Sequence, residues 1–284
     1  MSRGTPGPLL VLVLALAPLR NLCAASPADD LLTAAAAGRG LICVSPQDQA
    51  TSWLADPALL GESDATVLSV QHVRWYGLPE LTGETVGFLF PSVPLALIGT
   101  HFGEKLYRET GIALATAWQS GDLRAGVALH LGQIAIARYG CHHGGALDLA
   151  LAYDFTPDLA VNVRGRNVLA WGNPDWTGSM ARSLAVSLTA KLSTRAAVAT
   201  EIFKDPLYPA ESRVGLEWKL FRALLLRAGV TVGPARTTLG LRLSLRGLLF
   251  DYAFVHHSVL GGTHFVGLTL LRSHSRAQTT GPGR

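Results

Sequence analysis

The alternation of apolar and polar residues over Thr237–Leu271 constrains the fold more than any other feature of the chain. Leucine occupies every second position of Leu239–Leu245, and Leu248–Val255 continues with leucine and aromatic residues at the same spacing. A period of two residues indicates strands with two unlike faces. The second face carries Arg242 and Asp251. A soluble sandwich would bury the apolar face, whereas a membrane barrel would turn it to lipid and turn the charges to its lumen.

The same alternation recurs from residue 65 onward and predicts about fourteen strands. Apolar residues make up 49% of the chain, yet no window has ~18 consecutive apolar residues, so the sequence predicts no transmembrane helix. Each predicted strand is close to the ~9–11 residues that a tilted strand needs to cross a bilayer. The predicted strands are Ala65–Val73, Leu81–Phe90, Pro94–Phe102, Glu109–Trp118, Asp122–Gln133, Ala146–Phe155, Leu159–Asn167, Ser183–Leu192, Arg195–Phe203, Ser212–Leu220, Ala223–Val232, Arg236–Leu245, Leu248–Val255 and Thr263–Leu271.

The connections between these strands alternate between long loops and tight turns. Long loops on one rim and tight turns on the other are typical of outer-membrane barrels, and a soluble sandwich has no reason to sort its loops in this way. The sequence therefore predicts an all-β fold, a transmembrane antiparallel up-and-down β-barrel. The predicted long connections are Arg74–Glu80, Gly103–Arg108, Ile134–Gly145, Val168–Arg182, Lys204–Glu211, the brief Gly233–Ala235, and His256–Gly262.

Charged residues recur on the strand face opposite the apolar one. A charge facing lipid would cost ~2–4 kcal/mol at the bilayer midplane, so we expect these side chains in the lumen, where they would line a transport route. A two-residue turn at Arg246–Gly247 would place Arg242 opposite Asp251 and predicts an ion pair. The predicted lumen residues are Arg124, His130, Asp148, Asp154, Arg164, Lys191, Glu201, Glu217, Lys219, Arg227, Arg242 and Asp251.

The N-terminal residues have a different composition from the strands. Pro8–Leu19 is a dozen apolar residues behind a basic start and ahead of small residues, which predicts a signal peptide over 1–25 and export. Residues 26–64 form a separate segment of mixed composition, in which we expect a partly helical Ala28–Ala37 and a helical Gln47–Leu60 that is interrupted at Pro57. The barrel would then occupy 65–272, and the polar residues 273–284 would form a disordered tail.

No motif in the sequence indicates catalysis, a cofactor or a nucleic-acid partner. The net charge of +4 comes without a basic run, and there is no nucleophile elbow or phosphate loop. Cys141–His143 offers three adjacent ligand types without a partner cluster, so we expect a polar loop and no metal site. The inward carboxylates are expected to be salt-bridged or solvated. We expect Cys43 and Cys141 to be free thiols.

Three stretches resemble the FadL-like outer-membrane barrels, specifically the PorV/PorQ-type branch. Ala50–Leu60 is similar to the plug segment that ends in Asn-Pro-Ala-Gly-Leu, with Asp56 in place of asparagine. Arg74–Glu80 resembles the first outer loop of these proteins. Asp251–Val255, with the downstream Leu260–His264 and Leu268–Leu270, resembles the closing hairpin.

The resemblance implies a fourteen-stranded barrel in the outer membrane of a diderm bacterium. It also implies that 26–64 is an N-terminal plug or periplasmic segment, with Trp53, Asp56 and Pro57 in the plug. It implies a channel or transporter for small or hydrophobic solutes. The alternative is a non-transporting scaffold or secretion-accessory barrel, like PorV, that engages a secretion-system or surface protein through its outer loops. Two features depart from the family: Ala34–Gly40 replaces a glycine-rich element, and Leu271 is followed by a polar tail where an aromatic residue usually ends the chain.

Overall fold

The computed structural model describes residues 32–173 and 182–273 and contains a closed antiparallel barrel. Each strand pairs with its neighbours in the chain, and β14 closes the barrel against β1. The predicted fourteen-stranded up-and-down fold is confirmed. The strands are β1 (Ala65–Arg74), β2 (Thr82–Phe90), β3 (Leu95–Gly103), β4 (Tyr107–Ser120), β5 (Leu123–Ile136), β6 (Gly140–Thr156), β7 (Leu159–Gly172), β8 (Ser183–Lys191), β9 (Ala196–Lys204), β10 (Glu211–Phe221), β11 (Leu224–Val232), β12 (Arg236–Leu245), β13 (Leu248–His257) and β14 (Gly261–Ser273).

The two faces of each strand differ in exposure as the alternation predicts. On β12 the side chains of Leu239 and Leu245 are exposed, whereas Arg242 is buried. On β13 Phe250 is exposed and Asp251 is fully buried. The apolar face is therefore the barrel exterior. Near the tight-turn rim this exterior carries exposed aromatic residues, as the interfacial girdle of a membrane barrel does; they include Trp118, Phe155, Trp218 and Phe221.

One predicted long loop, Ile134–Gly145, is wrong because the strands continue through it, and another, Val168–Arg182, is shortened at its start. β5 extends to Ile136 and β6 begins at Gly140, so the predicted loop Ile134–Gly145 is reduced to residues 137–139. β7 likewise extends to Gly172. Glycine and histidine obscure the alternation in this part of the sequence, but pairing with the neighbouring strands satisfies backbone groups that would otherwise be left unbonded. Cys141–His143 therefore lies in β6 and not in a loop.

The described part of the N-terminal segment, residues 32–64, lies inside the barrel, and we call it the plug. It contains helix α1 (Ala34–Gly38), followed by 3-10 helices at Ser52–Leu54 and Pro57–Glu62. The helix predicted over Gln47–Leu60 is reduced to these two 3-10 helices. Its predicted interruption at Pro57 is present, because Asp56 adopts an extended conformation and Pro57 starts a new turn. No helix in the described ranges is long and apolar enough to cross a membrane. The predicted signal peptide and nearly all of the predicted tail lie outside those ranges.

Glycines on the inner face of the wall allow the plug to approach the strands closely. A Cβ atom added to Gly215 of β10 would lie 2.5 Å from the backbone oxygen of Arg39. One added to Gly229 of β11 would collide with the backbone nitrogen of Gly40. Gly126 of β5 meets the backbone of Pro57 in the same way. Because the obstructing atoms are backbone atoms, a larger residue could be accommodated only if the plug moved.

We expect Gly229→Ala to displace the plug and expose the buried thiol of Cys43, at a stability cost of about 1–3 kcal/mol for overpacking. The measurement is the rate at which a thiol reagent labels Cys43 in a background that carries Cys23→Ser and Cys141→Ser. Gly99→Ala is the matched control, because the nearest atom to its added Cβ, the Val86 backbone oxygen, is 4.0 Å away. Equal labelling of the two variants would contradict the close seating of the plug.

Candidate functional site in the plugged lumen

Six charged side chains meet at the centre of the barrel and form what we call the central ionic cluster: Arg39, Asp48, Glu217, Arg227, Arg242 and Asp251. All six are buried. The three guanidinium groups and three carboxylates balance in formal charge. Two members come from the plug and four come from the wall.

Strand register explains the four wall members of this cluster. Glu217 of β10 lies directly opposite Arg227 of β11, with Nε–Oε1 at 2.9 Å. Arg242 of β12 lies opposite Asp251 of β13, with two Nε contacts at 2.8 and 3.1 Å. The predicted Arg242–Asp251 ion pair is confirmed. Arg227 also donates to Asp251 at 2.7 Å, so the two pairs form a single network.

The plug completes this network with one charge of each sign. The Arg39 guanidinium donates to Glu217 at 2.7 Å, and Arg242 Nη1 lies 2.9 Å from an Asp48 carboxylate oxygen. Burial alone would raise the pKa of Asp48, but the guanidinium groups of Arg242, Arg227 and Arg39 hold it below its usual range. Arg39 and Asp48 were not among the predicted lumen residues, because the plug lacks the two-residue alternation that assigns a side chain to one face of a strand.

Two further wall arginines bind the backbone of the plug nearer the long-loop rim. Arg213 contacts Glu201 at 2.9 Å and Glu211 at 3.0 Å, and it also donates to the Leu41 backbone oxygen at 3.0 Å. Arg164 donates to the backbone oxygen of Ala55 at 3.1 Å. Of these residues, only Arg164 and Glu201 belong to the predicted lumen set.

The other predicted lumen residues lie along β5–β8 and near the tight-turn rim. Arg124 pairs with Asp154 at 2.5 Å and also contacts Glu62 of the plug. His130 lies 3.0 Å from Asp148, which also accepts a hydrogen bond from the Asn167 backbone nitrogen at 2.7 Å. β7 carries extra residues at this point, because Leu147 pairs with Leu169 while Leu149 pairs with Gly165. Exposed lysines complete the set: Lys191, which donates to the Pro157 backbone oxygen, and Lys219.

The three predicted plug residues are buried against the wall or against the plug itself. Trp53 is fully enclosed, and its indole N–H donates to the Ala50 backbone oxygen at 2.8 Å. The Asp56 side chain accepts a hydrogen bond from the Ala58 backbone nitrogen at 3.0 Å and so caps the 3-10 helix that begins at Pro57. Burial raises the pKa of Asp56 from 3.8 to about 6, against the opposing attraction of Arg164.

The plug separates two cavities that open at opposite rims. The outer cavity, at the long-loop rim, has a volume of about 180 Å³, and its lining includes Leu32, Leu41, Trp75, Phe203 and Arg213. The inner cavity, at the tight-turn rim, has a volume of about 730 Å³, and its lining includes Gln47, Glu62, Lys219 and Arg242. The two sets of lining residues do not overlap. The structure is therefore a closed barrel with a vestibule on each side of the plug.

The fold, but not the sequence, is similar to known proteins: no family model and no curated protein matches the chain. CymD, a monoaromatic hydrocarbon channel, superposes with a TM-score of 0.60 and 12% identity, over 89% of this chain and 98% of that one. The Pseudomonas putida toluene transporter TodX gives 0.58 and 12%, over 84% and 96%. A Pseudomonas aeruginosa FadL homologue gives 0.57 and 8%, over 85% and 98%. The chain has the fold of FadL-type barrels.

We expect exchange of the two charges in Arg242→Asp/Asp251→Arg to leave the barrel destabilised, by about 3–5 kcal/mol for a broken buried pair. The sequence alone predicts rescue by the double exchange. In the structure, an aspartate at 242 would face Asp48, and an arginine at 251 would face Arg227. The measurement is unfolding in urea with detergent, with exposed Arg222→Asp as control. Full recovery in the double variant would show that the pair acts alone.

Asp56→Asn should stabilise the protein at neutral pH by up to about 3 kcal/mol, because asparagine keeps the cap but carries no buried charge. The folded-state pKa of Asp56 is raised above 3.8, so the wild-type contribution is fully present below that pH and is lost as pH rises through about 6. The difference in unfolding midpoint between variant and wild type should therefore be largest near pH 8 and vanish near pH 4. A difference that does not change with pH would contradict the assignment.

Proposed function

We propose that the protein is an outer-membrane channel for small hydrophobic solutes and that the plug is its gate. The observation that carries this proposal is the outer cavity, which opens at the long-loop rim, ends on the plug and is lined by apolar side chains as well as charged ones. The fold shared with hydrocarbon channels supports the same conclusion. Export, insertion in the outer membrane and the long-loop rim facing outward are parts of the proposal.

The outer cavity matches a small ligand in size and offers it apolar contacts beside charged groups. Its volume of about 180 Å³ is comparable to the ~150 Å³ of a dry apolar cavity that holds a benzene molecule. Leu32, Leu41 and Trp75 supply apolar surface, and the Arg213 guanidinium is already neutralised by Glu201 and Glu211. An uncharged solute can therefore enter without taking the carboxylate partners away from Arg213.

Passage to the inner cavity requires the plug to move. The central ionic cluster and the Arg213 and Arg164 contacts hold the plug against β7 and β10–β13, and no open route between the cavities exists among the described residues. Under this proposal Trp53, Asp56 and Pro57 act as plug residues, and the cluster members Glu217, Arg227, Arg242 and Asp251 set how readily the gate opens. The predicted roles of the other lumen residues, and membership of the PorV/PorQ branch, stay predictions.

The test is uptake of a small aromatic hydrocarbon into vesicles that contain the purified full-length protein, together with single-channel conductance. We expect slow uptake by the wild type. Glu217→Gln should increase uptake several-fold, because Arg39 loses its charged partner on β10 while the barrel wall is retained. Glu104→Gln removes a carboxylate in the same way from an exposed loop residue outside both cavity linings, and it is the matched control.

No uptake and no conductance for either the wild type or Glu217→Gln would overturn the channel proposal. If, in addition, a protein from the cell surface or a secretion system co-purified with the barrel, the alternative of a secretion-accessory scaffold would replace it. Among the described loops at the long-loop rim, 75–81 and 205–210 have seven and six residues and would be the surfaces to test for such a partner, whereas 104–106, 137–139, 233–235 and 258–260 have three each.

A further inference from the structure

The barrel exterior is not uniform at the long-loop rim. In the sector formed by β1–β4, the exposed apolar residues end abruptly and are followed by charged and histidine side chains. On β1, exposed Val70 is followed on the same face by His72 and Arg74. On β4, exposed Ile112 is preceded by Thr110 and Arg108. In a membrane barrel, the end of the apolar exterior marks the level of the lipid headgroups.

Two exposed guanidinium groups lie in one row across this sector. Arg74 pairs with Thr82 of β2, Arg108 pairs with Gly103 of β3, and the register of β2 with β3 brings these pairs into line. Three strand spacings separate the two arginines, which corresponds to about 14 Å. Between them Gly103 has no side chain and Thr82 offers a hydroxyl. Neither guanidinium has an ion-pair partner among the residues that the structure describes.

A second row of polar side chains lies directly below, toward the apolar exterior. Glu84 of β2 lies opposite His72 of β1 on one side and opposite His101 of β3 on the other. His72 Nδ1 is 3.6 Å from the Glu84 carboxylate. The Glu84 carboxylate is therefore flanked by two imidazoles, while the exposed Glu80 and Glu104 lie in the adjoining loops. The row offers donors and acceptors at a depth where hydroxyl and amide groups of a sugar headgroup would lie.

We propose that this sector binds a phosphorylated glycolipid of the surrounding leaflet, one whose headgroup carries two phosphates on a disaccharide. Arg74 and Arg108 each take one phosphate, because a guanidinium group binds a phosphate with two parallel hydrogen bonds. The sugars lie over Thr82 and Gly103, and the acyl chains run down past Val86 and Ile112, which are exposed. The inference rests on the membrane placement proposed above but not on transport.

The test uses the full-length barrel in zwitterionic phospholipid vesicles, with and without a bisphosphorylated glycolipid. The measured quantities are the glycolipid retained by the purified protein and the temperature at which the folded barrel unfolds on a gel. We expect the bisphosphorylated glycolipid to raise the unfolding temperature, whereas the same glycolipid without its phosphates should not. Inorganic phosphate added to the protein in detergent should also leave the unfolding temperature unchanged.

Arg74→Gln and Arg108→Gln should each weaken retention of the glycolipid about tenfold, because each removes charge-assisted hydrogen bonds to one phosphate. Lys204→Gln is the matched control, since Lys204 ends β9 on the same rim and its ammonium group is held by the Tyr208 backbone oxygen. If the glutamine variants do not fold, Arg74→Lys and Arg108→Lys keep the charge but lose the bidentate contact to the phosphate, and they should weaken retention to a smaller extent.

Three results would overturn the proposal: equal stabilisation by the glycolipid without phosphates, stabilisation by inorganic phosphate alone, or equal retention by the arginine variants and Lys204→Gln. These outcomes are distinguishable from failure of the membrane placement. A protein that did not insert would show no folded band in zwitterionic vesicles, whereas a barrel without the lipid site would insert normally.

Discussion

The closed state of this barrel depends on the ion pairs between the plug and the inner wall. Glu217, Arg227, Arg242 and Asp251 are charges that the strand pattern forces into the lumen, where they balance one another. Arg39 and Asp48 join them without changing the net charge. A buried charge without a partner is strongly destabilising, so each member fixes the position of its neighbours. The plug is therefore held by the same ion pairs that offset the free-energy cost of burying charges in the lumen.

The plug fills the part of the lumen that the charged side chains do not occupy. α1 consists of four alanines and a glycine, all buried. Wall glycines such as Gly215 and Gly229 leave room for the backbone of Arg39 and Gly40, which follow α1. Small residues on both sides bring the backbones close enough for Thr238 to bond Gly38 and Gly40 directly. The lumen is consequently filled with protein at its centre and open only at its two ends. Under the proposed function, the barrier to a solute lies at the plug and not at the outer entrance.

The polarity of the exterior side chains changes along the barrel axis, and this pattern is separate from that of the lumen charges. Apolar side chains cover the middle of every described strand, aromatic residues mark the tight-turn rim, and polar residues begin near the other rim. The long strands β4–β7 extend beyond this apolar exterior, where glycine and histidine replace leucine. Interior charge and exterior hydrophobicity thus occupy opposite faces of the same strands, and a register slip of one residue would exchange them.

The sequence by itself determined the strand count, the face of each strand and the Arg242–Asp251 pair, because a period of two is a local property that survives folding. It did not determine the ends of β5–β7, where glycine and histidine hide the period. It also placed Trp53, Asp56 and Pro57 in a plug only through resemblance. Tertiary structure alone decided that Arg39 and Asp48 enter the cluster, since residues about 170–200 positions apart in the chain meet only once the barrel closes. It likewise decided that the lumen charges form a sealed network rather than an open, charge-lined route.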